Sequence, residues 1–245
     1  MRIPRIYLPV ELKINDLIEL SGQAFQHTIK VLRMKQNDQL IVFNGEGDEY
    51  AAHLDEIKKR SAFIKINDQI INNSESHLSI HLGLGISKGE RMDYAIQKAV
   101  ELGVNEITPL FTQHCVVNLD EKRLQKRLLH WQGVIISACE QSGRTKVPIL
   151  HPAISLTQWS LKSDQICLVL DPLSEQNLST IKAEIKNMRL LIGPEGGLSS
   201  GEITELNQKE NVHTINFGPR ILRTETAAVA AITAVQVLWG DLADK

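Results

Sequence analysis

Arg189-Leu-Leu-Ile192-Gly193-Pro194-Glu195-Gly196-Gly197-Leu198-Ser199-Ser-Gly-Glu202 is the stretch on which the reading of the fold turns. Arg189–Ile192 predicts a strand that ends in an unbroken aliphatic run, and such strands are covered on both faces, as in parallel sheets. A glycine-rich loop follows at once. Ser199-Ser-Gly-Glu202 then fits a capping box, which opens a helix. Strand, loop and helix in succession are the unit of an α/β domain.

The same succession recurs on either side. Downstream, Val212–Phe217 predicts the last strand and Thr224–Trp239 the last helix. Upstream, Ile166–Leu170 reads as another continuous apolar strand, Leu78–Ile86 as the first and Glu106–Leu110 as the second. Met92, Ile96, Ala99 and Val100 mark one helix face, with Gly103 at a typical stop position. Asp120 caps a long helix carrying Leu124, Leu128, Trp131, Ile135 and Ala138, which ends before Gly143. The expected fold is an α/β domain of about six strands with helices on both faces. The Thr224–Trp239 helix is apolar nearly all round, so it must be buried on several sides, in a core or a subunit interface.

The first seventy residues have another rhythm. Arg5–Leu8, Leu17–Leu20, Gln39–Phe43, Tyr50–Ile57 and Ala62–Ile66 read as short strands, with one helical stretch at Gly22–Leu32. Strands at this spacing suggest a small barrel or sandwich. Asn72-Asn-Ser-Glu-Ser-His77 is polar and aperiodic, and is the best linker candidate. The expected division is therefore residues 1–72 and 73–245.

Composition narrows the function. The 245 residues carry 27 Lys plus Arg against 29 Asp plus Glu, and 42% are hydrophobic. That excludes wholesale disorder and a grip on nucleic acid by bulk positive charge. Neither part is basic, with ten basic and ten acidic groups in residues 1–70. Cys115, Cys139 and Cys167 are odd in number and far apart, which argues against a disulfide framework or cysteine zinc site and for a reducing cytoplasmic setting. No signal peptide and no run of ~18 apolar residues is present, so no membrane role is expected.

Several motifs fail on inspection. Gly83-Leu-Gly85-Ile-Ser-Lys-Gly89 has one residue too many for a dinucleotide fingerprint, and no P-loop occurs. His77 and His81 lie on a strand, where four residues span ~13 Å, so a metal shared by the two is not expected. Gly197-Leu-Ser199-Ser-Gly201 matches a nucleophile elbow in letters, but the strand ends at Ile192 and only His213 follows as a triad histidine. Ser199 as a helix cap is the better reading.

Two segments remain. Leu190–Leu198 and Phe217-Gly218-Pro219-Arg220-Ile221-Leu222-Arg223-Thr224-Glu225-Thr226-Ala227 each lie after a strand and before a helix. Ligands of open α/β sheets bind at the carboxyl ends of strands. The glycines let backbone groups approach a flat base, Leu198 and Leu222 can sandwich a ring, and Arg220, Arg223 and Glu225 bring charge to the mouth. The competing reading is a plain turn and an Arg223–Glu225 surface ion pair.

Gly-Pro-Glu-Gly-Gly at 193–197 with Leu-Arg-Thr-Glu-Thr-Ala at 222–227 closely resembles the SPOUT class of methyltransferases. Within it the chain is similar to the small-subunit (16S) ribosomal RNA (uracil-N3)-methyltransferase family. Lys88-Gly-Glu-Arg91-Met-Asp93 onward, Trp131 through Cys139-Glu-Gln-Ser-Gly143-Arg144, and His27-Thr-Ile-Lys-Val-Leu-Arg33 resemble further signatures, so the likeness spans the chain.

The resemblance implies a PUA-like, RNA-binding β-barrel in residues 1–72 and a SPOUT α/β domain with a deep trefoil knot in 73–245. It implies S-adenosylmethionine as cofactor, no metal, and a homodimer. It also implies methylation of N3 of one uridine in small-subunit ribosomal RNA, free or in the assembled subunit. The cofactor residues it implies are Leu170, Pro172, Ile192, Gly193, Pro194, Glu195, Gly196, Gly197, Phe217, Gly218, Ile221, Leu222, Arg223, Thr226 and Ala227. Arg223 and Glu225 are the expected catalytic pair, with Glu195 a second candidate to take the proton. Arg2, Arg5, Arg33, Arg91, Arg144 and Arg220 are the expected RNA contacts. An inactive RNA-binding module of the same fold is the alternative.

Overall fold

The computed structural model describes residues 3–117, 120–160, 165–181 and 184–243. The chain forms two compact units. One holds residues up to Glu75 together with 136–147, the other Ser76–Ile135 and the chain from Pro148.

The first unit is a five-stranded sheet. Its elements are β1 (Arg5–Tyr7), β2 (Leu17–Leu20), α1 (Gly22–Phe25), β3 (Gln39–Phe43), β4 (Glu49–Ile57) and β5 (Ala62–Ile70). The strand order is β1-β3-β4-β5-β2, antiparallel except for the β1–β3 pair. Residues alternate in and out, so Leu40 and Val42 of β3 and Ala62, Ile64 and Ile66 of β5 share one core with Leu20, Phe25 and Met34. Two register shifts between β4 and β5 bend the pair, as bulges do. The expected Gly22–Leu32 helix is a single α-turn that widens into a π-helical stretch over Gln26–Val31, with the Leu32 N–H reaching back to the His27 carbonyl.

A buried polar network ties the ends of this unit together. Arg5 pairs with Glu49 and also donates to the Arg144 carbonyl at 2.9 Å. Arg144 donates twice to Glu75 Oε2, at 2.7 and 3.1 Å, while Glu75 Oε1 accepts the Thr145 and Lys146 N–H groups. The side chains of Arg5 and Arg144 are only 7% and 4% exposed. This corrects the expectation that they contact RNA: buried charges are spent on their partners, and a phosphate cannot reach them. The expected linker is likewise pinned, since Asn72 and Ser74 donate to the Gly143 carbonyl.

The second unit is a wholly parallel seven-stranded sheet. Its strands are β6 (Ser79–Gly85), β7 (Glu106–Phe111), β8 (Ile149–Leu150), β9 (Ile154–Ser155), β10 (Cys167–Leu170), β11 (Asn187–Ile192) and β12 (Val212–Ile215). Its helices are α2 (Glu90–Glu101), α3 (Glu121–Ser142, whose last turns belong to the first unit), α4 (Leu156–Ser160), α5 (Ser200–Asn207) and α6 (Thr224–Trp239). The order is β12-β10-β11-β6-β7-β8, with β9 also on β7. Met188–Ile192 of β11 are all buried, as a strand covered on both faces requires. Leu156 and Trp159 of α4 and Leu206 of α5 cover Val169 and Leu191, and α2 packs on α6.

α6 departs from its pattern at two places. Gln236 is fully buried, donating to the Leu102 carbonyl and accepting from Ser76 Oγ. Val237 and Leu238, by contrast, are 48% and 54% exposed. Among the described residues no helix is long and apolar enough to cross a membrane.

Candidate active site

The site sits where β10, β11 and β12 end together. β10 lies between β11 and β12, so the three loops leaving their carboxyl ends meet over a cavity of about 290 Å³. That is close to the lower end of the range for small-molecule pockets, ~300–1,000 Å³. The first loop supplies Leu170–Leu173, the second Ile192–Leu198 and the third Phe217–Leu222 without Pro219, with Ile203, Ile215, Thr224 and Ala227 behind them.

The second loop is a tight turn. Gly197 N–H bonds the Pro194 carbonyl at 2.9 Å, and Gly197 adopts φ +69°, which side-chain-bearing residues rarely accept. The neighbouring strand end needs its own glycine, since a Cβ on Gly85 would collide with the backbone nitrogen of Pro194. Ser199 then caps α5. Its Oγ accepts the Glu202 N–H, and Glu202 returns the bond to the Ser199 N–H. The capping box is therefore real, and Ser199 is 7% exposed and has no nucleophile's geometry. Glu202 also accepts the Gln113 N–H, and His114 Nδ1 donates to the Gly196 carbonyl at 2.9 Å.

Glu195 is held from outside the loop. Its Oε1 accepts the Lys88 N–H at 2.9 Å and the Arg91 guanidinium at 3.2 Å. Burial alone would raise its pKa. The Lys88 N–H, its own backbone N–H, the Ser87 side chain and the Arg91 charge outweigh that and keep the carboxyl below its ordinary range. Glu195 thereby clamps Arg91, while its Oε2 is buried without a hydrogen-bond partner.

The first and third loops are laced together. Asn216 donates to the Ser174 carbonyl, Ser174 Oγ to the Thr214 carbonyl at 2.8 Å, and Asp171 N–H to the Ile215 carbonyl at 3.0 Å. Leu173 and Ile221, 88% and 87% exposed, form an apolar rim. At the start of α6, Arg223 occupies the N-cap position and is exposed, while Glu225 buries Oε2 without a hydrogen-bond partner. The two form no ion pair, so the surface-pair reading of these residues does not hold.

Most of the residues expected around a cofactor line this cavity. Arg223 and Thr226 do not, and both are exposed beside it. Arg220, expected on RNA, lines the cavity mouth. Sequence reading missed Asp171 and Leu173, which a look at the residues just past the Ile166–Leu170 strand could have found. Arg33, exposed at φ +55°, belongs to the other unit. Arg2 lies outside the described residues.

Comparison with known proteins matches this geometry. The RNA methyltransferase domain family matches residues 74–236, and the RNA methyltransferase PUA domain family matches residues 20–67. A Buchnera aphidicola protein named ribosomal RNA small subunit methyltransferase E is 42% identical, covering 98% of each chain. The Bacillus subtilis protein of the same name is 32% identical over 91% of this chain and 92% of its own. Among solved structures, one from Legionella pneumophila in complex with the bound cofactor SAM superposes with a TM-score of 0.95 at 41% identity, covering 99% of this chain and 100% of that one. A ribosomal RNA small subunit methyltransferase E from Neisseria gonorrhoeae, bound to S-adenosyl methionine, gives 0.92 at 37%, covering 98% and 100%.

Proposed function

Because the chain belongs to the RNA methyltransferase family whose curated relatives are named ribosomal RNA small subunit methyltransferase E, we propose that it methylates N3 of one uridine in small-subunit ribosomal RNA, using S-adenosylmethionine. The observation that carries this reading is the three-loop cavity at the ends of β10, β11 and β12. Its lining suits an adenosyl group: leucines and Ile192 for the ring faces, and glycine-loop backbone for the ring edge. When bound, the cofactor supplies a sulfonium methyl for in-line displacement.

The protein's own residues align and charge the site. Arg223, always protonated, stabilises the negative charge that develops on the uracil as its N3 proton leaves. Glu225, with one buried carboxylate oxygen unpaired, accepts that proton or orients Arg223. Arg91, clamped by Glu195, and Arg220 meet RNA phosphates in the catalytic unit. In this reading residues 1–72 form the RNA-binding module, with Arg2 and Arg33 toward RNA, and 73–245 the methyltransferase.

Three further features belong to the same proposal. The chain works as a homodimer, with the exposed Val237 and Leu238 of α6 covered by a second copy. The α/β unit carries a trefoil knot. What supports it is the resemblance of the 193–197 and 222–227 segments to the SPOUT class. The three free cysteines suit the cytoplasm.

Mapping modified bases in ribosomal RNA from cells with and without this chain tests the function. Loss of one N3-methyluridine from the small-subunit RNA is expected. Identical maps would refute it.

A further inference from the structure

A second cluster of chemistry lies at the opposite end of the parallel sheet from the cavity described above. His81 of β6 and Glu106 of β7 are direct cross-strand partners, and Glu106 in turn faces Ile149 of β8. His151 stands two residues past Ile149 and therefore points to the same side as Glu106. Three neighbouring strands thus bring two imidazoles and one carboxylate together. His77, the nearer histidine in sequence, takes no part.

The spacing is that of a ligand set. Glu106 Oε2 lies 3.9 Å from His81 Nδ1 and 2.6 Å from His151 Nε2, and all three ligand atoms fall within 4.8 Å of one another. Bonds of ~2.0–2.2 Å in a tetrahedral shell require ligand atoms ~3.4 Å apart. The two spacings bracket that value, and the His151 ring is 36% exposed, so it has room to turn outward by the difference. His81 is held from behind, its Nε2 standing 2.7 Å from the buried Thr108 hydroxyl and 3.4 Å from the Trp159 indole N–H. That leaves Nδ1 turned toward Glu106. Without a metal the Trp159 indole N–H donates to Nε2 and the ring's proton sits on Nδ1, facing Glu106. A metal on Nδ1 moves that proton to Nε2, where the Thr108 hydroxyl accepts it and the 3.4 Å Trp159 bond is given up, leaving the usual outer support of a metal-bound histidine.

We propose that His81, Glu106 and His151 form a binding site for a zinc-type divalent cation at the amino ends of β6 and β7, beside the residue that follows β8. Two imidazoles and one carboxylate, without a thiolate, match the ligand set of zinc sites that keep one position open. The open position faces a cavity of about 410 Å³, lined by His81, Thr108, His151, Trp159, Gln165 and Arg189 among others. One charge opposes a cation here. The Arg189 guanidinium carbon stands over the Trp159 ring, 3.5 Å from its centroid, and the guanidinium donates to the Trp159 carbonyl at 2.7 Å. Glu106 supplies the negative charge that offsets it. A cation bound across three strands ties together an edge whose outermost strand, β8, has only two residues. It stabilises the fold by mass action.

The test uses the full chain, stripped with a chelator and titrated with Zn²⁺ by calorimetry, with Co²⁺ as an absorbing probe. The expected result is one Zn²⁺ per chain, tetrahedral-type Co²⁺ absorption bands, and a thermal midpoint that rises with Zn²⁺. His151→Ala and Glu106→Gln, both at partly exposed side chains, each weaken binding roughly tenfold or more. S-adenosylmethionine titrations stay the same in both variants, which separates this site from the methyl-transfer cavity. Absence of Zn²⁺ binding, or equal affinity in wild type and both variants, would overturn the proposal.

Discussion

Arg223 and Glu225 stand two residues apart at the start of one helix, yet their surroundings differ. Arg223 is exposed at the N-cap, and Glu225 buries one carboxylate oxygen. A buried, unpaired carboxylate oxygen is costly, and a proton or a substrate donor relieves it. Arg223→Ala and Glu225→Gln are therefore expected to lower kcat by about 10²–10³, the effect of removing one preorganised charge or base. Cofactor affinity should stay near that of the wild type, because neither side chain lines the cavity. Methyl-transfer rates and calorimetric titrations check both halves, and near-normal rates in both variants would dismiss the pair. Glu75 makes a separate prediction. Arg144 and two backbone N–H groups outweigh the upward push of burial and hold its carboxyl below the ordinary carboxylate range. A lowered folded value means a contribution fully present above the ordinary carboxylate pKa and lost as the pH falls through the folded one. Thermal midpoints measured from about pH 6 down to about pH 3 should fall less steeply in Glu75→Gln, which starts lower. Superimposable curves would contradict this.

At the scale of elements, Ser199 separates two readings of one motif. As a cap it contributes ~1 kcal/mol, so Ser199→Ala should lower the thermal midpoint by a few degrees and leave methyl transfer largely intact. Loss of all activity at full stability would instead favour a nucleophile. Long periodic elements were legible in the sequence. α6 begins and ends where its pattern does, and β11 is buried on both faces as its aliphatic run implies. Short ones were not. β8 and β9 have two residues each, too few to show any period, and α4 has five. Burial of charge was equally opaque. Arg5 and Arg144 look like RNA contacts until Glu49 and Glu75 are found beside them, and no local pattern announces partners about 45 and 70 residues away. The His81–Glu106–His151 group fails for the same reason, being assembled by sheet register alone.

At the scale of the whole molecule, the near balance of charge restricts how RNA is held. With 27 basic against 29 acidic groups, a few placed arginines must do the work. Two of the six expected in that role are buried in ion pairs, which sharpens the point. The proposed homodimer makes the other prediction at this scale. Val237, Leu238 and Leu242 leave an apolar patch at the end of α6. Leu238→Glu is expected to shift sedimentation from dimer to monomer, and a wild-type profile would argue against this face as the interface. The central claim is methyl transfer itself. Purified chain, labelled S-adenosylmethionine and small ribosomal subunits should yield label on one uridine, located at N3 by mass spectrometry of the RNA. Label on another base, or none while the cofactor is demonstrably bound, would contradict the account.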